Sequence, residues 1–171
     1  MDVSGTSTGN GTGEMWSEFT SGARTVYAYD NNNLTSYGYL YNWYAADDSR
    51  GICPTGWHVP TNNDWETLIN FLGADPANKS READLTYWNA ISTSTNQSGF
   101  SARGGGGRIW GTTPRSQFLS LKHNTYFWSA TEFNLNPGEV AHYYGMIQNQ
   151  SLIQKETNSK KSGAYIRCLK D

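Results

Sequence analysis

The chain has 171 residues, 36% hydrophobic and 14% aromatic, but only 16% charged. A soluble domain usually carries about 25% charged residues, and here Gly, Asn, Ser, Thr, Tyr and Trp fill the difference, which argues against a salt-bridged helical bundle. Thirteen basic against fifteen acidic side chains give a formal net charge of -2; with no basic block, a phosphate-binding stripe and generic nucleic-acid binding are disfavoured. No apolar run reaches the roughly 20 residues needed to cross a bilayer, so membrane insertion by this chain is not expected. The opening MDVSGTSTGN lacks the charged and apolar regions of a signal peptide.

Residues 1–14 are rich in Gly, Ser and Thr and read as a flexible tail, because they bury too little surface to offset their ordering entropy. Residues 15–171 read as one domain. Thr25 to Tyr29 is β-prone, Asp30 to Asn33 reads as a turn, and Tyr37 to Ala46 is dense in aromatics that need a core or an interface.

The spacing predicts a helix over Asn62 to Leu72, with Trp65, Leu68, Ile69 and Leu72 on one face. Thr61 is placed to cap it, Asp64 and Glu66 suit its positive end, and Gly73 stops it. A second, less regular helix is expected from about Ala77 to Trp88. Beyond Asn89 the helical period disappears. Short β-prone pieces follow at Phe100 to Arg103, Arg108 to Trp110, Tyr126 to Ser129, Val140 to Ile147, Ser151 to Gln154 and Ala164 to Leu169. Helices first and strands afterwards make an α+β class: one or two helices followed by a small twisted antiparallel sheet with long loops.

Few residues suggest chemistry. The run Gly104 to Gly107 lacks the Lys-Ser or Lys-Thr of a phosphate loop, and tight backbone packing explains it better. His58, His123 and His142 stand apart from one another and from the cysteines, so each reads as structural or surface. Glu132 with Glu139, and Asp47 with Asp48, could do acid/base work or hold calcium, but solvated loops are the default. No catalytic constellation stands out. Neither a metal nor another cofactor is expected. Cys53 and Cys168 lack metal-ligand spacing; they are either two separate buried thiols or a disulfide, which would imply an oxidising compartment.

The blocks Gly38-Tyr39-Leu40-Tyr41-Asn42-Trp43-Tyr44-Ala45-Ala46 and Cys53-Pro54-Thr55-Gly56-Trp57-His58-Val59-Pro60-Thr61 resemble the Fibrobacter succinogenes major paralogous domain family. The resemblance continues through Asn63-Asp64-Trp65-Glu66, Ser98-Gly99-Phe100-Ser101-Ala102, Gly106-Gly107-Arg108, Tyr126-Phe127-Trp128-Ser129-Ala130-Thr131-Glu132 and the closing Lys161 to Asp171. It implies a C-type lectin-like fold for residues 15–171, a Cys53–Cys168 disulfide, and a core filled by Trp57, Trp65, Trp110 and Trp128. Calcium-dependent lectins carry a Glu-Pro-Asn or Gln-Pro-Asp loop before Trp-Asn-Asp. Here Asn136-Pro137-Gly138-Glu139 comes after Trp128 instead. Formylglycine-generating enzymes share a segment like Ala102-Arg103-Gly104-Gly105 but need a late cysteine pair, and only Cys168 is there. Neither activity transfers.

The variable proteins of diversity-generating retroelements are a better match, and the resemblance to them implies a non-enzymatic display module. Its variable, ligand-binding face is expected between Phe133 and Lys160, formed by Phe133, Asn134, Leu135, His142, Tyr143, Tyr144, Met146, Gln148, Asn149, Ser151, Ile153 and Lys155. Strand alternation would expose many of them, and aromatic and amide side chains suit recognition. The expected partner is a protein or glycan on another cell or particle, with the domain at a cell or virion surface. The alternative is a structural or adhesin module of fixed specificity in an extracellular or virion assembly.

Overall fold

The computed structural model describes residues 19–89, 93–110 and 117–171. The elements run β1 (Arg24–Thr25), a 3₁₀ turn (Tyr27–Tyr29), α1 (Asn32–Tyr37), β2 (Leu40–Tyr41), α2 (Trp43–Ala46), β3 (Trp57–His58), α3 (Asn62–Leu72) and α4 (Pro76–Ser80). The strands β4 (Gly105–Ile109), β5 (Gln117–Leu121), β6 (Asn124–Glu132), β7 (Val140–Ile147), β8 (Ile153–Ser159) and β9 (Leu169–Lys170) follow. The class is α+β. The tail expected at residues 1–14 lies outside the described residues.

Helix α3 has the expected bounds, and its start has a local cause. The Thr61 hydroxyl accepts from the Asp64 amide while the Asp64 carboxylate accepts from the Thr61 amide at 2.8 Å, a reciprocal cap that satisfies two orphan donors. Trp65 and Leu72 are buried, and Gly73 ends the helix at a φ of 64°.

The second expected helix is corrected. It stops at Ser80 rather than Trp88, because Arg81 turns extended and bridges Ala102. The wholly buried Arg81 guanidinium donates to the carbonyls of Ile147 and Gln150, to Ser94 Oγ at 3.0 Å and to Asn78 Oδ1. Continuing the helix would pull this side chain off the β7–β8 turn. Trp88 is buried as well, its indole donating to the Ala102 carbonyl at 3.0 Å.

Other boundaries also move. The β-prone run after Arg24 leaves the strand at Val26, because Ala28 and Tyr29 take positive φ. The turn expected at Asp30 to Asn33 leads directly into α1, its entry fixed by Asp30 Oδ1 accepting the Asn32 amide at 2.9 Å. Phe100 to Arg103 forms only the bridge at Ala102, and the piece at Ser151 is shifted into β8.

The main sheet has the order β5-β4-β6-β7-β8, antiparallel except for the β4–β6 pair, which meets in parallel at Gly106 and Thr125. Two short pairs, β1–β2 and β3–β9, tie early segments to later ones. The β3–β9 pair sets His58 opposite Leu169, and beside it Cys53 and Cys168 form a disulfide with Cα atoms 5.8 Å apart. Both cores lie against this sheet. One gathers Trp65, Trp88, Phe127, Tyr144 and Met146, and the other Trp43, Val59, Trp128, Ala141 and Tyr143.

Trp65 and Trp128 fill the core as expected, but Trp57 and Trp110 do not; they are 44% and 39% exposed. Trp57 sits in the two-residue β3 and Trp110 just beyond the end of β4, where no layer of the described residues covers them. The glycine run is a packing device. A Cβ on Gly105 would overlap the Tyr165 ring, whose hydroxyl donates to the Gly105 carbonyl at 2.7 Å, and Gly106 adopts a φ of 66° against the Leu119 carbonyl.

Candidate functional site

The residues expected to form one variable face are sorted by β7 into separate groups. Strand β7 has β6 on one side and β8 on the other, and both of its faces are covered. Tyr144 and Met146 are wholly buried, and Ile153 and Tyr143 are 7% and 8% exposed. Their expected exposure is therefore corrected. Tyr144 stacks on Trp65 of α3 at 4.9 Å and 14°, and its hydroxyl is pushed up to about 12 by burial and then by the nearby Glu66 charge. On the other face Tyr143 meets the Tyr126 ring edge-on at 5.2 Å and donates to the Glu156 carboxylate at 2.5 Å. Alternation exposes every second residue only when one face of a strand is free.

Most of the exposed and partly exposed members fall at opposite ends of this strand. Phe133, Asn134 and Leu135 belong to the β6–β7 turn, with His142 near it, whereas Gln148, Asn149 and Ser151 belong to the β7–β8 turn. The eight-residue β7 separates the two turns by about 25 Å of strand. Lys155 lies on β8 and its ammonium pairs with Glu66 of α3 at 2.8 Å.

The β6–β7 turn is the more built of the two ends. Lys160, only 5% exposed, pairs with Glu132 and sits 4.1 Å from the centre of the Trp43 ring. Glu132 also accepts the Gly138 amide at 2.6 Å, so Lys160 first and Gly138 second hold its carboxyl below the usual range. The Lys160 amide donates to the Glu139 carbonyl at 2.8 Å, the Phe133 amide to the Val140 carbonyl at 3.2 Å, and the Asn136 side chain to Glu139 Oε2 at 3.2 Å. Gly138 turns the chain at a φ of 90° with open space around its Cα. These bonds fix the turn from below and leave Leu135 87% exposed at its tip.

Beside the turn runs a groove of about 220 Å³, lined by Tyr44, Trp110, Gly138, Glu139, Val140, Ser159 and Lys161. Tyr44 and Trp110 supply flat contact area, while Glu139, Ser159 and Lys161 supply hydrogen-bonding groups. Sequence reasoning missed this groove. Trp110 reads as core, and nothing local in the sequence ties Tyr44 to residues more than ninety positions later. Phe133 meets His142 edge-on at 5.4 Å, and burial first, then the Lys155 charge, lowers the His142 pKa.

The remaining polar candidates are engaged locally. Asp48 pairs with Arg50 at 2.5 Å, which lowers its carboxyl to about 2, and His123 meets the Asn89 side chain at 2.8 Å. Among the described residues no group of three or more His, Cys, Asp or Glu side chains could hold a metal ion, and no helix is long and apolar enough to cross a membrane.

The sequence blocks that define the scaffold map mainly onto its joints, and reach the groove only at Tyr44 and Lys161. Trp128 donates to the Tyr41 carbonyl at 2.7 Å, Trp43 to the Ser129 carbonyl at 2.8 Å, and the segment after Lys161 bridges Tyr41 and Phe127 through Ala164 and Tyr165. No curated protein and no solved structure matches the chain. The model of the Fibrobacter succinogenes major domain (Fib_succ_major) matches residues 3–170. With that match spanning nearly all of the sequence and the shared blocks forming its joints, the chain belongs to the Fibrobacter succinogenes major domain family.

Proposed function

We propose that this chain is a non-enzymatic binding domain on a C-type lectin-like scaffold, presenting the β6–β7 turn and the adjoining aromatic groove to a protein or glycan outside the cell. The observation that carries this reading is a rigid base beneath an open surface. Lys160, Glu132 and the turn's backbone bonds hold the backbone on either side of Asn134 and Leu135, while Tyr44 and Trp110 border a groove. Ordering that backbone before contact lowers the entropic cost of binding. The Cys53–Cys168 disulfide fits an oxidising compartment, in keeping with a secreted or surface location.

The finer reading is a variable protein of a diversity-generating retroelement. In that reading the variable positions are the exposed ones, Asn134 and Leu135 at one end, Asn149 at the other and Lys155 on β8, because substitution there leaves the core intact. The test is a binding screen of the intact chain against arrays of glycans and purified extracellular proteins, repeated with the double variant Trp110→Ala, Leu135→Asp. Binding lost in the variant at an unchanged melting temperature supports the reading. Equal binding by both proteins rejects this surface. A nearby near-copy of the codons for residues 126–171, differing chiefly at adenines, would support diversification; its absence would favour an adhesin of fixed specificity.

A further inference from the structure

A second cavity, of about 400 Å³, lies between α1 and the segments around Ser101–Arg103 and Tyr165–Arg167, and it shares no lining residue with the groove at the β6–β7 turn. Its charge is one-sided. Arg103 and Arg167 both line it, and among the described residues no Asp or Glu does. Arg103 is held in place, with its guanidinium 3.9 Å from the Tyr87 ring centre and Nη1 donating to the Ser36 carbonyl at 2.9 Å. Arg167 rests over the Phe100 ring at 4.8 Å. Neither guanidinium is in an ion pair with a carboxylate among the described residues. Asp84 senses the Arg103 charge from outside the lining.

The rest of the lining suits an organic body. Tyr37, Phe127 and Tyr165 contribute aromatic surface, and Thr125, 1% exposed, contributes a buried Oγ1 with no hydrogen-bond partner among the described residues. A buried hydroxyl is normally paired. Two ion-free guanidiniums positioned on aromatic rings are suited to a planar anion, because their N–H groups match carboxylate geometry. The volume falls within the range of small-molecule sites.

We propose that this cavity binds a small organic acid, with its carboxylate at Arg103 and Arg167 and its apolar body against Tyr37 and Phe127. The ¹⁵N-labelled full chain is titrated with benzoate, with its neutral analogue benzamide and with inorganic phosphate. The expected result is saturable shifts from benzoate at the amides of Ser101, Arg103 and Ile166, with benzamide weaker by about tenfold. In Arg167→Gln, benzoate affinity falls by a similar factor while the other amides keep their positions.

Equal affinity for benzoate and benzamide would overturn the ionic part of the proposal. Phosphate binding as tightly as benzoate would reduce the site to a bare anion site and overturn the organic one. Absence of saturable shifts at millimolar benzoate would overturn both. The comparison of ligands on the unmodified chain needs no variant, so poor folding of Arg167→Gln would not blunt the test.

Discussion

The ammonium of Lys160 is shared between Glu132, at the end of β6, and the face of the Trp43 ring 4.1 Å away in α2. One buried cation thereby joins the helix before the disulfide, the strand entering the β6–β7 turn and the chain leaving β8. Its backbone adds to the junction, since the Lys160 carbonyl accepts the Trp43 amide at 2.9 Å and its amide donates to Glu139 at 2.8 Å. Replacing Lys160 with Met keeps most of the volume and removes both charge contacts. The expected outcome is a melting temperature lower by several degrees and faster amide exchange at Gly138 and Glu139. Unchanged exchange would show that the backbone bonds hold the turn alone.

Acid should loosen the same turn. The folded pKa of Glu132 is depressed by Lys160 and then by the Gly138 amide, so its contribution is complete above the unfolded carboxylate pKa and is lost as pH falls through the folded value. Gly138 exchange should therefore rise at pH values below the ordinary glutamate range, and Glu132→Gln should remove that pH dependence. A rise of equal size in the Gln variant would assign the effect to other carboxylates.

Tyr143 and Tyr144 show how far the sequence can be read and where it stops. Helix α3 was legible because a cap, an apolar face and a terminal glycine all lie within twelve positions. The strand Val140–Ile147 was legible from its β-prone run, and the disulfide from the family's blocks. That neither side of that strand is open to water was not legible. A residue in β7 cannot signal that α3 packs on one face while Trp43 joins the cluster on the other; those partners are distant in sequence. The same gap hid the groove that Tyr44 and Trp110 both line, and mis-set Trp57. Tyr144→Ala should accordingly cost roughly 3–5 kcal/mol, as for a buried aromatic, measured by denaturant unfolding, whereas Leu135→Asp at the exposed tip should stay within about 0.5 kcal/mol.

The glycines separate packing from backbone preference. Gly105→Ala would set a Cβ against the Tyr165 ring, and overpacking of this kind costs about 1–3 kcal/mol or more. Gly138→Ala meets no atom within 4 Å and bears only the positive-φ penalty, about 1–2 kcal/mol. The expected ranking in denaturant midpoint is therefore wild type, then Gly138→Ala, then Gly105→Ala. Reversal would show that Tyr165 moves aside readily and that the glycine run is not held by packing.

The disulfide spans 115 positions and fastens the segment before α3 to the end of the chain. In the chain-entropy model a loop of that length contributes up to about 5 kcal/mol. The β3–β9 pair beside it is two residues long on each strand and cannot replace that constraint. His58 adds a weaker fastening there: Nδ1 lies 2.6 Å from Asp171 and Nε2 3.4 Å from Asp64, and the Asp171 contact, foremost among the causes, raises its pKa. A raised folded pKa stabilises fully below the unfolded value and is lost as pH rises through the folded one. The Cys53→Ala, Cys168→Ala variant should melt on the order of 10 °C lower. Its remaining stability should depend on pH more steeply between pH 6 and 8 than in His58→Gln on the same background. Equal slopes in the two would remove His58 from the junction and leave the covalent bond as its main fastening.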